Sequence, residues 1–471
     1  MTTTQDAACS GTATSVADQL CERIVRNESK VGIVGLGYVG LPLALAFSEK
    51  GFPTTGFDVD TAKVASLREG VSYIGHLAGD QIAKQMELNL FHPTNDFAKL
   101  REMDAIVICV PTPLNVHREP DLTYIEETAE AISSVLRAGQ LVILESTTYP
   151  GTTEEVMLPL LEGSTWKCQP AVYSITNNTV DRSAEPEPDF YLAFSPERED
   201  PGNSETERSM IPKVIGGVNG TSARVAQTLY AQVFQSTVLV SSARVAEMTK
   251  ILENTYRCVN IALVNELKLL CLRADINIWE VIEAAKTKPF GFSAFYPGPG
   301  LGGHCIPVDP FYLSWKAREF EFTTRFIELA GEINTAMPDH VVKGVAAALD
   351  QRGKPVSQSR ILILGVAYKR DVGDTRESPA LRIIELLKRR GAQVEYNDPH
   401  VPWLPKSRKY DFGLESVSLN SENLKRFDCV LIVTDHRSYD YPWLVRESSL
   451  VIDTRNATAK VHAGREKIVL L

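Results

Sequence analysis

Residues 30–58, KVGIVGLGYVGLPLALAFSEKGFPTTGFD, leave few folds open. An apolar strand runs into Gly35, Gly37 and Gly40 at G-x-G-x-x-G spacing, a helical run follows, and a second strand ends on Asp58. Gly35 permits a tight turn, Gly37 lets the backbone meet a pyrophosphate, and Gly40 lets the helix pack on the strand. Asp58 can accept from the adenosine ribose hydroxyls, and its charge favours NAD over NADP by repelling a 2′-phosphate. With strand, helix and terminal acid in register, the pattern predicts a βαβ dinucleotide site.

The βα rhythm continues. DAIVICV (104–110) leads into Pro111, Thr112 and Pro113, and QLVILE (140–145) leads into Ser146, Thr147 and Thr148. Ligands bind at the carboxyl ends of parallel strands, so Thr112 and Thr147 are candidate cofactor contacts; the alternative is capping of the next helix. A Pro/Ser/Asn-rich stretch at 169–189 reads as a surface insertion, and in YLAFSPERED Glu197 ends another strand, as a base or as a surface charge. Residues 360–398 repeat the first pattern in weakened form: strand, Gly365, a loop, a helix from about Ser378, and a second strand ending at Asp398. The glycine signature is missing there, and Lys369 and Arg370 occupy the phosphate-turn position, as fixed cations for a different phosphate ligand or as surface charges of a scaffold. Later strands fall at 428–434 and 450–455. The expected class is α/β, with two Rossmann-like domains of parallel sheet covered by helices on both faces.

Between them, residues 244–272 contain neither proline nor glycine and predict one long central helix. From Val259 it is apolar nearly all round, which predicts burial on most sides, including against a second copy. Lys250 and Asn254, four apart, project from one face and suit an oxygen that gains negative charge. Glu247, three residues before Lys250, is positioned to pair with it. FYPGPGLGGHCIPVDP (295–310) sets Cys305 in a loop of glycine and proline. Asp309 follows four residues later; a reactive thiolate needs such company, whereas an inert packed thiol does not.

Composition bounds the rest. The 471 residues are 44% hydrophobic and 23% charged, an ordinary globular balance with material for two to four domains. Eight scattered cysteines form no C-x-x-C pair and no metal-like spacing, which points to reduced thiols in a cytoplasmic setting and to no metal. The opening MTTTQDAACSGTATS reads as a tail, not a secretory signal, and no apolar run is long enough to span a membrane. A net charge of −10 disfavours nucleic acid and requires any anionic ligand to find local cations.

These motifs together resemble the UDP-glucose/GDP-mannose dehydrogenase family over residues 30–457. The run KPFGFSAFYPGPGLGGHCIPVDPFYLSWKARE (288–319) looks like its UDP-N-acetylglucosamine branch, and His304 stands where the UDP-glucose branch has Tyr or Ser. The resemblance implies a tail and lead-in helix at 1–29, an NAD-binding domain at 30–242, a central helical domain at 243–350 and a UDP-binding domain at 351–471. It implies a homodimer or higher homo-oligomer. NAD would lie against Gly35, Gly37, Tyr38, Val39, Gly40, Asp58, Lys63, Thr112 and Thr147, and the UDP-sugar against Glu197, Lys250, Asn254, Gly302, Gly303, Lys369 and Arg455. Cys305 corresponds to the nucleophile, with Lys250, Asn254, Asp309, Glu197 and Thr147 around it; Glu197, Asp309 and Lys250 compete for the acid/base role. The implied reaction takes a sugar C6 alcohol to the acid. The other sugars open are UDP-N-acetylgalactosamine, UDP-N-acetylmannosamine and UDP-glucose; the other classes are a single-step hydroxyacid or sugar-phosphate dehydrogenase and a non-catalytic NAD-binding protein. The stretch at 169–189 is longer than the family minimum, and Glu199 and Asp200 make that turn more acidic than the family's.

Overall fold

The structure, a computed structural model, describes residues 15–74, 77–115, 119–163, 165–181, 187–198, 208–303, 306–407 and 409–471. The tail before Ser15, Glu199, Asp200, His304 and Cys305 lie outside the described residues. The chain forms two compact units, Met1–Lys250 and Ile251–Leu471, and the helix Ala243–Arg273 continues from one into the other.

In the first unit, strands β1 (Val31–Val34), β2 (Thr54–Phe57), β3 (Phe91–Thr94), β4 (Ala105–Ile108) and β5 (Leu141–Leu144) precede a small antiparallel hairpin, β6 (Ile175–Thr176) with β7 (Thr179–Val180). The hairpin falls inside the 169–189 stretch. Strands β8 (Tyr191–Phe194), β9 (Lys213–Gly217) and β10 (Thr237–Leu239) complete an eight-stranded sheet of order β10-β9-β8-β5-β4-β1-β2-β3. All neighbours are parallel except β8 with β9. The β3-β2-β1-β4-β5-β8 portion has the doubly wound dinucleotide-binding order. Strands β1, β4, β5 and β8 are buried at every residue, which is why their sequences are continuous apolar runs and do not alternate. A helix, Val16–Val25, adds Ala17, Leu20 and Ile24 to the same core.

The second unit holds the rest of the central helix, the helices Ile278–Lys286, Asp309–Ala317 and Arg325–Asp350, and a five-stranded parallel sheet. Its strands are β11 (Arg360–Leu364), β12 (Gln393–Asn397), β13 (Cys429–Ile432), β14 (Val451–Asp453) and β15 (Ile468–Leu470), in the order β12-β11-β13-β14-β15. Val341, Val345 and Leu349 of one helix pack with Ile383, Ile384 and Leu387 of the helix Pro379–Arg389 over one face of this sheet.

The duplication read from the sequence is visible at atomic detail. Gly35 donates its amide to Phe57 O at 2.8 Å, and Gly365 donates to Asn397 O at 2.9 Å. Both glycines have positive φ, +93° and +81°. A Cβ on Gly35 would stand 2.7 Å from Cys109 O; on Gly365, 2.5 Å from Thr434 O. In each turn the next amide donates to the acid that follows the second strand: Leu36 N to Asp58 Oδ2 at 3.0 Å, and Val366 N to Asp398 Oδ2 at 2.8 Å.

Asp398 also accepts from Ala367 N at 3.0 Å and His400 N at 2.8 Å, and from His436 Nε2 at 3.1 Å. Burial acts to raise its pKa, but the His436 bond and the amides outweigh it, and the net shift is downward. A depressed carboxyl contributes stability that is complete above its unfolded value and is lost as pH falls through the folded one. Replacing Asp398 by Ala should therefore cost about 3 kcal/mol at neutral pH, from several orphaned buried donors. The Asp398→Ala variant should also flatten the loss of stability below about pH 4. Denaturant titrations of both proteins across pH check this; parallel pH curves would refute it.

Candidate active site

The first turn fits a dinucleotide. A Cβ on Gly40 would fall 1.8 Å from Gly35 O, so only glycine lets the helix Gly40–Glu49 start there, whereas a Cβ on Gly37 meets nothing within 4 Å. The helix has no side-chain cap from its N-cap residue, Val39, the pattern of a turn that receives phosphate. Tyr38 beside it is partly exposed. Asp58 is buried at the strand end, takes the Asp60 amide at 2.9 Å, and pairs with Lys63 at 3.5 Å. The capping alternative for the two threonines does not apply: the next helical segments start at Thr123 and Thr153, with Leu122 and Thr152 at their N-caps. Thr112 is buried, and Thr147 accepts from Lys250 Nζ at 2.6 Å.

Lys250 does not find the partner its spacing suggests. Glu247 turns instead to the loop after β5, where it accepts from Gly151 N at 2.5 Å, Thr153 N at 2.8 Å and Thr153 Oγ1 at 2.7 Å. Burial pushes its carboxyl up to about 7 against the pull of those donors. Glu247 thus ties the start of the central helix to the loop that carries Thr147, and Lys250 ties to Thr147 itself.

Glu197 is no surface charge. It is buried, accepts from Arg198 N at 3.0 Å, and pairs with Lys213 Nζ at 3.1 Å. Lys213 is 3% exposed and pairs equally with buried Glu145 at 2.9 Å. Glu145 in turn receives the hydroxyl of fully buried Tyr230, and the ammonium sits 5.1 Å from the ring centroids of Tyr230 and Phe234. Sequence reasoning missed Lys213 and Glu145. The signal was there: KVIGG is a wholly buried strand with a lysine at its start, and a lysine at such a position needs a counter-charge.

In the second unit, Asp309 opens the helix Asp309–Ala317, where a carboxylate suits the helix dipole, and it is 1% exposed. It accepts from Asn254 Nδ2 at 2.5 Å, and Asn254 Oδ1 accepts from Arg257 at 2.5 Å. Arg257, three residues on along the same helix face, is another member the sequence reading omitted. The glycine loop at 295–303 is held by a chain of amides: Gly298 N donates to Asn265 Oδ1 at 2.9 Å, Asn265 Nδ2 to Asn334 Oδ1 at 2.9 Å, and Asn334 Nδ2 to Cys258 O at 3.1 Å. Gly302 and Gly303 have a packing reason of their own. Their missing Cβ atoms would stand 2.6 and 2.9 Å from Tyr368, and Gly303 N donates to Arg376 O at 2.9 Å. The loop is thereby pressed onto the turn that bears Lys369. Beside it Asp435 pairs with both Arg370 and Arg455, the latter at 3.3 Å.

Asp371, His400 and His436 bring three metal-type donors within 4.8 Å of one another. Buried His436 spends both nitrogens on the protein, accepting from Asp371 N at 2.9 Å and donating to Asp398, which leaves it no lone pair for a cation.

Three domain descriptions match the chain in order: NAD binding at 29–234, central at 244–336 and UDP binding at 362–460, all of one family. The chain belongs to the UDP-glucose/GDP-mannose dehydrogenase family. It is an NAD-dependent UDP-sugar dehydrogenase, with an NAD-binding and a UDP-binding domain. A UDP-N-acetyl-D-glucosamine 6-dehydrogenase of Pseudomonas aeruginosa is 34% identical over 414 residues, covering 88% of this chain and 92% of that protein. An NDP-N-acetyl-D-galactosaminuronic acid dehydrogenase of Ralstonia solanacearum is 35% identical over 430 residues, covering 90% and 95%. The solved UDP-D-ManNAc dehydrogenase of Pyrococcus horikoshii superposes with a TM-score of 0.80 at 31% identity, covering 94% of this chain and 98% of that one. No helix among the described residues is long and apolar enough to cross a membrane.

Lys213 neutralises two buried carboxylates at once, so its loss should be costly. Lys213→Met is expected to lower unfolding free energy by about 3–5 kcal/mol, while Lys213→Arg retains most of it. Chemical denaturation measures both; a Met variant within about 1 kcal/mol of wild type would show that the network contributes little.

Proposed function

We propose that the chain oxidises the C6 alcohol of UDP-N-acetylglucosamine to the uronic acid. The observation that carries this reading is the run 288–319, with its FYPGPGLGGHCIPVDP core, and the Pseudomonas relative named for that sugar supports it. Residues 30–242 hold NAD and residues 351–471 the UDP moiety, while 243–350 supply the reacting groups; residues 1–29 lead in. Gly35, Gly37, Tyr38, Val39, Gly40, Asp58, Lys63, Thr112 and Thr147 hold the cofactor, and Gly302, Gly303, Lys369 and Arg455 face the nucleotide sugar. We place the reaction in the cytoplasm.

Taking an alcohol to an acid removes four electrons, and NAD supplies a two-electron acceptor for each of two oxidations. The aldehyde between them must not escape. The Cys305 thiolate adds to its carbonyl carbon to give a thiohemiacetal; the second oxidation turns this into a thioester, and water releases the acid and the thiol. Lys250 and Asn254, four apart on an unbroken helix, stabilise the oxygen that carries developing charge. Glu197 is held in place by Lys213, so we assign it an orienting role and leave proton transfer to Lys250 and Asp309.

Leu252, Tyr256, Leu263, Leu267 and Leu270 form an exposed apolar stripe along one side of the helix, and a second copy of the chain is its occupant in this reading.

Purified protein with NAD and each of four sugars (UDP-N-acetylglucosamine, its galacto and manno epimers, and UDP-glucose) should turn over the first fastest and yield two NADH per sugar. One NADH per sugar would indicate a single-step dehydrogenase, and faster turnover of an epimer would reassign the sugar. Cys305→Ala should bind NAD yet form no uronate. Light scattering should give a dimer at micromolar concentration and a monomer for Leu263→Glu/Leu270→Glu; a monomeric wild type would refute the pairing.

A further inference from the structure

Lys268 lies five turns beyond Lys250 on the central helix, within the second unit. It is 2% exposed, and its Nζ makes no hydrogen bond among the described residues. Lysines are almost never buried unless paired, because desolvating an ammonium costs several kcal/mol in effect. The charged groups in electrostatic reach are Arg455 and Asp453. Arg455 has the same sign. Asp453 has the opposite sign, but its oxygens are committed: Oδ1 accepts from Arg455 N at 2.9 Å, and Oδ2 from Thr458 N at 2.8 Å and Thr458 Oγ1 at 2.7 Å. Among the described residues, no carboxylate bonds Lys268 as Glu145 and Glu197 bond Lys213.

The surroundings are built to bring these cations together. One turn before Lys268, Asn265 anchors Gly298, and a Cβ on Gly298 would stand 2.5 Å from Arg455 Nη1. Glycine at that position thus leaves the guanidinium room against the loop. Asp453 is tied to its own backbone and Asp435 is shared between Arg370 and Arg455, so the two cations are incompletely answered and suit an anion; Arg455 lies within the UDP-binding domain, residues 362–460.

We propose that Lys268 is a substrate-binding residue, completing with Arg455 a two-cation site for the diphosphate of the nucleotide sugar. The inference rests on the reading of the chain as a UDP-sugar enzyme. Burial pushes the Lys268 ammonium down to about 7, Arg455 adds to the shift and Asp453 opposes it. Mostly neutral above that pH in the free protein, Lys268 takes up a proton as the diphosphate arrives and supplies the missing counter-charge.

Calorimetric titration of UDP and of uridine into wild type, Lys268→Met and Lys268→Arg tests the assignment. Lys268→Met should bind UDP at least tenfold more weakly, with uridine and NAD affinities within about twofold of wild type, and Lys268→Arg should recover part of the loss. At pH 8, titrations in buffers of different ionisation enthalpy should show wild type taking up about one proton per UDP, and Lys268→Met none. The Met variant should melt no lower than wild type, since it removes an uncompensated buried charge. UDP affinity unchanged in Lys268→Met, equal losses for UDP and uridine, or a lowered melting temperature would each overturn the proposal alone. A wild type that fails to bind UDP would overturn the UDP-sugar reading with it.

Discussion

Both nucleotide domains depend on one local arrangement: a glycine in the left-handed region after the first strand, and a carboxylate after the second strand that takes the next amide. The glycine is required because the end of a third strand occupies the place of its Cβ, a carbonyl of Cys109 in one domain and of Thr434 in the other. The carboxylate is required because the turn's amide points into the protein, where an unmade bond costs about 1–3 kcal/mol. Asp58 and Asp398 are equivalent in this respect and diverge beyond it. Asp58 is bound by two amides and one flexible lysine, a set that a ribose hydroxyl can join. Asp398 is surrounded by three amides and the imidazole of His436, which converts a ligand-binding acid into a structural one. The second domain accordingly binds its nucleotide by other means, and Lys369, Arg370 and Arg455 stand at the ends of its strands.

Three lysines show how the fold handles buried positive charge. Lys213 is flanked by two carboxylates and two aromatic faces and is fully compensated. Lys250 is half-buried, with a threonine hydroxyl as partner, which positions the ammonium while leaving most of its charge available. Lys268 has no bonding partner among the described residues. The order runs from structural to functional: the less completely the protein satisfies a cation, the more of its interaction free energy remains for a ligand.

The features legible in the sequence are those with a local cause. The glycine turn, the acids ending both second strands and the unbroken central helix each follow from backbone geometry or side-chain period, and the structure has them at the expected places. The duplicated second domain could be read despite its lost glycines because strand, helix and strand keep their order. What escaped is non-local. Glu247 appeared to belong with Lys250 because they share a helix face, yet two amides and a hydroxyl from the 151–153 loop outbid a single cation, and no spacing rule reports that loop's position. The resemblance names the glycines at 302 and 303 for the sugar, but no spacing rule reports that Tyr368, 65 residues after Gly303, packs where their Cβ atoms would stand. Lys213 was visible as a charge in apolar company, but its partners, Glu145 and Glu197, became apparent only once the strands were laid side by side; Arg257 reaches Asn254 along its own helix, at a spacing the sequence already offered.

Net charge says little about how such a chain holds a diphosphate. A protein at −10 repels anions at long range, but at physiological ionic strength the field of a distant surface charge decays within about 8 Å. Inside that radius only the neighbours matter. At the strand ends of the second domain a single buried carboxylate, Asp435, is shared by Arg370 and Arg455, and Asp453 is saturated by its own backbone. Cations there outnumber the carboxylates free to answer them, so the local potential is positive whatever the total. Acidic residues such as Glu126, Glu130, Glu280 and Glu328 lie on exposed helix faces, where water and salt screen them. Sharing one acid between two guanidiniums also fixes their geometry: each arginine is oriented by a bond that only half neutralises it, which leaves an ordered positive surface for a rigid anion and a smaller ordering cost when that anion binds.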